Sequence, residues 1–343
     1  MDEMLNELDN YLTNTKDKTN EIYNSYKIDK NNFFKTKKEC FNNQICFVDG
    51  GSSVLIDSPS FSLGFIKSAS IIYKNKKIKK IITNQFFVFA YTFFENEKIY
   101  YKTKYFKYNQ NSQLIDEIII NSKDKNFSIN NEPFSISKMI DLSRRILEIK
   151  TSIESINYLN EGDIILLDGT LKTLFDFEKK KLDKLYEIAI KNNILISSIL
   201  KTNNAITNNG NCLLASISKI APAEIWYYDD FIDLKNEMQK SIIYFLKLHK
   251  LSDYIFTLEI YKEQTKLLDI KKVVSYFAYY SNDAVFLGYP YGLIKADSLA
   301  RISNNETEML LTTISSKNKK LFNLIKPYIK SNDAHGVLDN ISF

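Results

Sequence analysis

Two segments of this sequence each place an aspartate and a glycine directly after a short apolar run. Residues 45–48 precede Asp49, and residues 164–167 precede Asp168. If the two runs are neighbouring strands, their carboxylates lie roughly 5 Å apart at the strand ends. Carboxylates so close repel each other unless one is protonated or a divalent cation lies between them, and such oxygen ligands favour Mg²⁺ or Mn²⁺. Asp-Gly after a strand is also ordinary turn chemistry, so each segment alone has a structural interpretation.

Two further polar residues fit the same chemistry. Glu148 lies on a predicted helix just before the second run, so Asp49, Glu148 and Asp168 follow the order strand, helix, strand. That is the order of a ribonuclease H-like nuclease core. Lys201 follows the next apolar run and could reach a phosphate. Each has an alternative: Glu148 could pair with Arg144 on the helix surface, and Lys201 could be solvated.

The surrounding pattern predicts the elements that hold these residues. Runs of β-branched and aromatic residues predict strands, and apolar residues spaced by three and four predict helices. The first aspartate segment reads as a buried strand that ends in a turn at Asp49-Gly50-Gly51. The predicted strands are 61–73, 78–94, 98–108, 194–200 and 254–261, and the predicted helices are 139–156, 175–192, 267–280 and 293–303. This order predicts an α/β fold with a ribonuclease H-like mixed sheet flanked by helices.

The same reading predicts three regions along the chain. They are an N-terminal helical arm over 1–44, a nuclease domain over 45–310 and a C-terminal helical tail over 311–343. There is no apolar run of the roughly 18–20 residues that a transmembrane helix needs, and no signal-peptide pattern at the start, which predicts a cytoplasmic protein without a membrane partner. The three cysteines have no zinc-site spacing, so neither disulfides nor structural zinc are expected. The net charge of +5 is weak evidence for any partner.

Four motifs together resemble the NurA family of DNA end-processing nucleases. The resemblance covers roughly residues 45–303, and its most specific part is the last motif. The motifs are Phe47-Val48-Asp49-Gly50-Gly51-Ser52, Arg145-Ile146-Leu147-Glu148, Leu166-Leu167-Asp168-Gly169-Thr170-Leu171 and Gly288-Tyr289-Pro290-Tyr291-Gly292-Leu293-Ile294-Lys295-Ala296-Asp297-Ser298-Leu299-Ala300-Arg301.

The resemblance implies a manganese- or magnesium-dependent deoxyribonuclease with two metal ions. It implies degradation from 5′ ends, with possible endonuclease action on single strands, in end resection during double-strand break repair. It also implies a homodimer that works beside a HerA-type hexameric DNA translocase.

The resemblance further assigns roles to individual residues. By position, Asp49, Glu148 and Asp168 match the metal-binding carboxylates, and Tyr289 matches the tyrosine of the last motif. Asp297 is the one departure, because many family members have histidine there. An aspartate can bind a metal but cannot act as a neutral imidazole base near pH 7.

A DNA-contacting strand is predicted over residues 100–108. Tyr101, Lys102, Lys104 and Tyr105 interleave rings with lysines, which suits stacking of unpaired bases beside a charged track, and Lys201 would join them at a phosphate. An exposed alternating strand gives the same pattern.

Two other functions compete with a nuclease of this family. One is a catalytically weakened family member that acts as a DNA clamp or translocase adaptor, and the other is a different ribonuclease H-like enzyme acting on RNA or on DNA junctions. The three retained carboxylates favour an enzyme, and the last motif counts against the other enzyme.

Overall fold

The computed structural model of the chain describes residues 1–16, 22–23, 26–108, 115–126, 128–129, 132–231, 238, 240–266, 268–320 and 323–325. The α-helices are α1 (Asp2–Lys16), α2 (Lys138–Ile156), α3 (Asp176–Lys191), α4 (Leu213–Ile220), α5 (Lys262–Thr265), α6 (Ile270–Tyr279), α7 (Tyr291–Ala300) and α8 (Asn304–Lys317). The strands are β1 (Ile22–Tyr23), β2 (Tyr26–Lys27), β3 (Phe33–Lys35), β4 (Gln44–Asp57), β5 (Phe61–Lys74), β6 (Lys77–Glu95), β7 (Lys98–Lys107), β8 (Ile119–Asn121), β9 (Ser128–Ile129), β10 (Glu132–Pro133), β11 (Ile164–Asp168), β12 (Leu195–Leu200), β13 (Trp226–Phe231), β14 (Ser241–Lys247) and β15 (Phe256–Tyr261).

The chain divides into two compact units that are not contiguous in sequence. Unit 1 comprises Met1–Asn42, Asp168–Lys172 and Ile196–Tyr291. Unit 2 comprises Asn43–Leu167, Thr173–Leu195 and Gly292–Phe343.

Unit 2 is built on a mixed sheet with the strand order β11-β4-β5-β6-β7-β8. The long strands β4 to β7 form an antiparallel meander, and β11 pairs parallel with β4, from Ile164 opposite Ile45 to Leu167 opposite Val48. The next strand along the chain, β12, begins beside β11, where the Leu195 N–H donates to the Asp163 carbonyl. An antiparallel meander followed by a helix and a strand parallel to the first meander strand is the ribonuclease H-like arrangement that the sequence predicts, and the predicted fold is confirmed.

The helix α2 packs across β4, β5 and β6, and α3 packs against α2. The apolar residues of α2, among them Met139, Ile146 and Ile149, are buried as their spacing predicts. Polar contacts also fix this helix on the sheet: the hydroxyls of Ser68 and Thr151 lie 2.5 Å apart. Because both groups are buried, this hydrogen bond favours one axial position of α2 over others.

Unit 1 is built on antiparallel strands in the order β3-β13-β14-β15-β12. Its core contains the fully buried Trp226 and Tyr228, each of which meets the ring of Phe33 edge-on at 4.8 and 4.7 Å. The helix α4 covers these rings with Leu213 and Ile217. Aromatic residues on alternating strand positions therefore build this core.

Most predicted elements are present, with ends that shift by a few residues. The predicted end of the first buried strand at Asp49-Gly50-Gly51 is wrong, because β4 continues through these glycines to Asp57. The glycines serve close packing instead, as the next section shows. No helix among the described residues is long and apolar enough to cross a membrane. Much of the predicted 311–343 tail lies outside the described residues.

Candidate active site

The segment Asp49-Gly50-Gly51 lies in the middle of β4 and is touched on both faces of the sheet. A Cβ atom at Gly50 would lie 2.4 Å from Oε1 of Glu148, and one at Gly51 would lie 2.2 Å from the carbonyl oxygen of Ala300. Both distances are far below van der Waals contact, so only glycine leaves room for these neighbours. The two glycines thus admit the Glu148 carboxylate on one face and the end of α7 on the other.

The helix α7 lies directly over the strand that carries Asp49. At its start, a Cβ on Gly292 would overlap the ring of Phe47, 2.0 Å from its nearest carbon, and at its end Ala300 meets Gly51. Asp49 lies between these two contact points on the same face, because side chains alternate along a strand. The last glycine of the Gly-Tyr-Pro-Tyr-Gly motif, Gly292, therefore has a packing reason. α7 also carries Asp297, whose carboxylate is paired with Arg301 four residues later.

Glu148 is buried and surrounded by cations of its own helix. Its carboxylate pairs with Arg144, and its Oε2 lies 3.3 Å from Arg145. Arg145 also reaches Glu178 on α3, at 3.5 Å. The nearby Glu148 charge, with smaller contributions from Asp141 and Asp49, raises the pKa of Arg144. Glu148 is therefore held in one place by two guanidinium groups and by the surface of Gly50.

Asp168 is the last residue of β11, as predicted. Leu167, the residue before it, is paired with Val48 of the parallel strand β4. The turn after Asp168 is formed by Gly169, which has φ +99° and donates its N–H to the Ile199 carbonyl. Asp168 Oδ2 lies 2.5 Å from Lys201 Nζ, so the predicted phosphate-binding lysine contacts a predicted metal ligand.

A residue that the sequence reading missed, Glu259 of β15, holds the turn after Asp168. Its buried carboxylate accepts hydrogen bonds from the Leu171 N–H at 2.6 Å and from the Thr170 hydroxyl at 2.9 Å. The hydroxyl of Ser241 lies 3.4 Å from the same carboxylate. The signal in the sequence was a lone acidic residue inside the apolar strand 256–261, which a solvent-facing position does not explain.

Tyr289 is buried, with its ring packed against Phe256 and Phe286 at centroid distances of 5.3 and 5.0 Å. Lys201 Nζ lies 5.2 Å from the centroid of the same ring, a cation–π distance. Tyr289, Lys201 and Asp168 are therefore in sequential contact within unit 1.

The predicted DNA-contacting strand β7 divides into buried and exposed residues. Tyr101 is buried and donates its hydroxyl to the Phe134 carbonyl, while the Tyr105 hydroxyl bonds Ser143 at 2.9 Å. Burial raises the pKa of Tyr105 to about 12. Lys102 is paired with a glutamate at 2.8 Å, and Lys104 is exposed. Both tyrosines have structural partners, so base stacking on this strand receives no support from their placement.

The carboxylates suit a hard divalent cation by chemistry, since Asp49, Glu148 and Asp168 offer only oxygen donors. Gly50 adds a bare backbone surface against which the Glu148 carboxylate lies. In the part of the chain that the structure describes, no three His, Cys, Asp or Glu side chains converge as a ready metal site. Glu148 and Asp168 instead direct oxygens at arginine and lysine side chains.

Comparison with known proteins gives matches to one family model and to solved structures. The model of the NurA domain matches residues 43–302. The structure is similar to the NurA nuclease from Sulfolobus solfataricus, with 14% identity, a TM-score of 0.53 and coverage of 92% of this chain and 93% of that chain. Two weaker matches are endonuclease V proteins. The catalytic domain of the human protein gives 8% identity, a TM-score of 0.39 and coverage of 79% and 89%. The Ciona intestinalis protein in complex with DNA gives 12% identity, a TM-score of 0.36 and coverage of 78% of this chain and 90% of that chain. No curated protein matches.

Proposed function

Because the chain belongs to the NurA family, we propose that it is a divalent-metal-dependent deoxyribonuclease. The observation that carries the proposal is the Asp49-Gly50-Gly51 segment, in which a buried carboxylate is followed directly by two glycines. One glycine admits the Glu148 carboxylate and the other admits the helix of the last motif. Packing of this kind at a strand centre costs conformational freedom and leaves a buried acid in place, which suits a functional site better than a turn.

In this proposal Asp49, Glu148 and Asp168 hold Mn²⁺ or Mg²⁺, with two ions in the complete site. Bound ions of this class lower the pKa of a coordinated water and stabilise the oxygen that leaves a phosphodiester. The protein itself supplies carboxylates in fixed positions. Arg144 and Arg145 hold Glu148, and the backbone hydrogen bond of Gly169 fixes the turn after Asp168.

Lys201 is the proposed phosphate-binding side chain. Its Nζ lies 2.5 Å from Asp168 Oδ2. In the substrate complex a phosphate oxygen would accept a hydrogen bond from this ammonium group in place of the carboxylate. Tyr289 supports Lys201 through its ring face. Lys102 and Lys104 remain proposed contacts to the DNA backbone, while Asp297 is proposed to contribute to the metal site from α7.

The wider role that we propose follows the family. It is 5′ to 3′ exonuclease activity, with single-strand endonuclease activity as a second mode, in cytoplasmic end resection during double-strand break repair. The protein would act as a homodimer with a HerA-type translocase. For the chain we propose a nuclease domain over 45–310 between a helical arm, 1–44, and a helical tail, 311–343.

The test compares the wild type with Asp49→Asn and Glu148→Gln on end-labelled single- and double-stranded DNA. Reactions contain Mn²⁺, Mg²⁺ or EDTA, with and without a HerA-type translocase. Asp176→Asn is the matched control, because Asp176 is an exposed aspartate in the first turn of α3. We expect metal-dependent degradation by the wild type and the control, and none by the two site variants.

The position of the label reports the polarity of degradation. Cleavage that persists in both site variants contradicts the assignment of the carboxylates. Absence of cleavage under every condition, together with equal DNA or translocase binding by all variants, identifies a noncatalytic clamp or adaptor instead.

A further inference from the structure

Two neighbouring loops of unit 1 expose an unusual amount of apolar surface. They are residues 248–255, which follow β14, and residues 281–290, which precede α7. Leu251 is 71% exposed, Tyr254 60% and Val285 87%. Apolar side chains this exposed are common one at a time, but a group of them on adjacent loops marks a binding surface. We call the surface formed by Leu251, Tyr254, Val285 and Phe286 the loop platform.

Specific contacts hold the two loops together. A Cβ on Gly288 would lie 2.6 Å from the Ser252 hydroxyl, so the loops touch through the missing side chain of this glycine. His249 Nε2 lies 3.1 Å from Asn282 Oδ1, and the rings of Tyr254 and Phe286 meet edge-on at 5.1 Å. The platform is therefore a built surface rather than two independent loops.

A continuous series of contacts leads from the platform to the proposed catalytic aspartate. The ring of Phe286 stacks on Tyr289, with centroids 5.0 Å apart and an interplanar angle of 22°. Tyr289 in turn lies under Lys201, which contacts Asp168. An exposed aromatic surface is thus joined within unit 1 to the cation that we assign to a phosphate.

We propose that the platform binds an unpaired nucleobase, with Tyr254 as the stacking ring, next to the phosphate held by Lys201. This subsite rests on the proposed nuclease function and specifies its substrate as a strand with at least one unpaired nucleotide. A nucleotide carries a base ring and an anion, and the exposed rings at one end of this series of contacts suit the first while the lysine at the other end suits the second.

The charges on the platform loops are mixed, because Lys250 lies on the same loop as Asp253, and Lys38 donates to Asn282 on the loop that carries Asp283. The orientation of the strand therefore rests on Lys201 as the phosphate contact, with the base at Tyr254. A base inside a duplex has both faces covered by its neighbours and cannot occupy such a site without being unstacked.

The test measures DNA binding by the full chain in EDTA, where no metal-dependent cleavage occurs. The probes are a single-stranded oligonucleotide carrying 2-aminopurine and a blunt duplex of the same length, read by fluorescence anisotropy and by 2-aminopurine quenching. The variants are Tyr254→Ala and Tyr254→Phe, with Tyr158→Ala as the control for losing an exposed tyrosine elsewhere.

We expect Tyr254→Ala to weaken single-strand binding about 5- to 150-fold, the range for one stacked base, and to remove the quenching. Tyr254→Phe keeps the ring and should bind like the wild type, as should Tyr158→Ala. Binding of the blunt duplex should be unchanged in all variants.

The proposal is overturned if Tyr254→Ala binds the single strand like the wild type, or if it loses single-strand and duplex binding equally. It is also overturned if the wild type does not bind the single strand. The nuclease assay above is separate: base stacking at Tyr254 with no cleavage under any metal condition would leave the subsite in place and remove the proposed catalysis.

Discussion

The substitution Gly50→Ala tests whether the position of the Glu148 carboxylate matters for activity. The added Cβ would lie 2.4 Å from Glu148 Oε1, 2.8 Å from Cγ and 3.0 Å from Cδ, whereas ordinary contact begins at about 3.4 Å. The carboxylate must therefore move by about 1 Å, the difference between 3.4 Å and the 2.4 Å that the glycine allows. Gly50 does not belong to the described glycines with positive φ, so the substitution adds crowding without backbone strain.

The expected consequence is a large loss of rate with a modest loss of stability. A displacement of about 1 Å at a reacting centre costs on the order of 100-fold in rate, or about 2.7 kcal/mol of barrier. The free energy of unfolding should fall by about 1–3 kcal/mol. The Glu148 side chain is flexible and can move away from the new methyl group, but the movement disturbs its ion pairs with two arginines. The assay is single-turnover cleavage of 5′-labelled single-stranded DNA over a Mn²⁺ titration, with urea denaturation in parallel.

Gly64→Ala is the matched control. Its Cβ would lie 2.5 Å from the Ile140 side chain, so it crowds the same helix against the same sheet without touching Glu148. We expect lower stability and a rate per folded molecule near that of the wild type. A folded Gly50→Ala protein with the wild-type rate and Mn²⁺ dependence would refute the assignment of Glu148. Equal rate losses in the two variants would show that displacement of α2, and not of the carboxylate, is responsible.

Three further changes have defined outcomes. Glu259→Ala leaves the buried Leu171 N–H without its acceptor and should lower the free energy of unfolding in urea by about 1–3 kcal/mol, while Glu259→Gln, which keeps an acceptor, should lower it less; equal losses would contradict this reading. Burial, together with nearby lysines, lowers the pKa of His249 below its usual 6.5, and its Nδ1 accepts the Leu251 N–H. The unfolded state therefore binds a proton first, so stability should be full above pH 6.5 and fall as the pH drops through the lowered pKa. His249→Asn should flatten that pH dependence of the urea midpoint, and parallel curves would exclude His249 as its source. Asp297→Ala removes one partly exposed helix pair and should cost at most about 0.5 kcal/mol, so a larger fall in cleavage rate would report a role at the metal site and an unchanged rate would exclude one.

The exposed pair of Asp297 on α7 and the buried pair of Glu148 on α2 show why ion pairs within a helix contribute differently to stability. Each carboxylate has an arginine four residues away on its own helix, and for Glu148 the sequence reading allowed a surface pair. In the structure Glu148 is buried against Gly50, whereas the Arg301 partner of Asp297 is exposed. Removal of a partner from a buried pair leaves an uncompensated charge, so its energetic effect is larger.

Local sequence patterns were enough to predict the elements and the candidate carboxylates. Helix and strand periods are local properties, and they gave α2, α3 and the meander with small errors at the ends. The apolar runs also predicted two buried strands, and the structure shows that β11 and β4 are neighbours and run parallel. Local patterns suffice here because a long amphipathic helix or a fully buried strand has few alternative placements.

Tertiary structure alone decided what the glycines and the lone buried acid do. Gly50 and Gly51 read as a turn, because nothing local shows that Glu148 and Ala300 approach β4 from opposite faces. Glu259 reads as an exception within an apolar strand until the turn after Asp168 supplies its donors. These roles depend on contacts between residues far apart in the chain, and such contacts are set by packing of the whole fold, which a pattern along one segment does not contain.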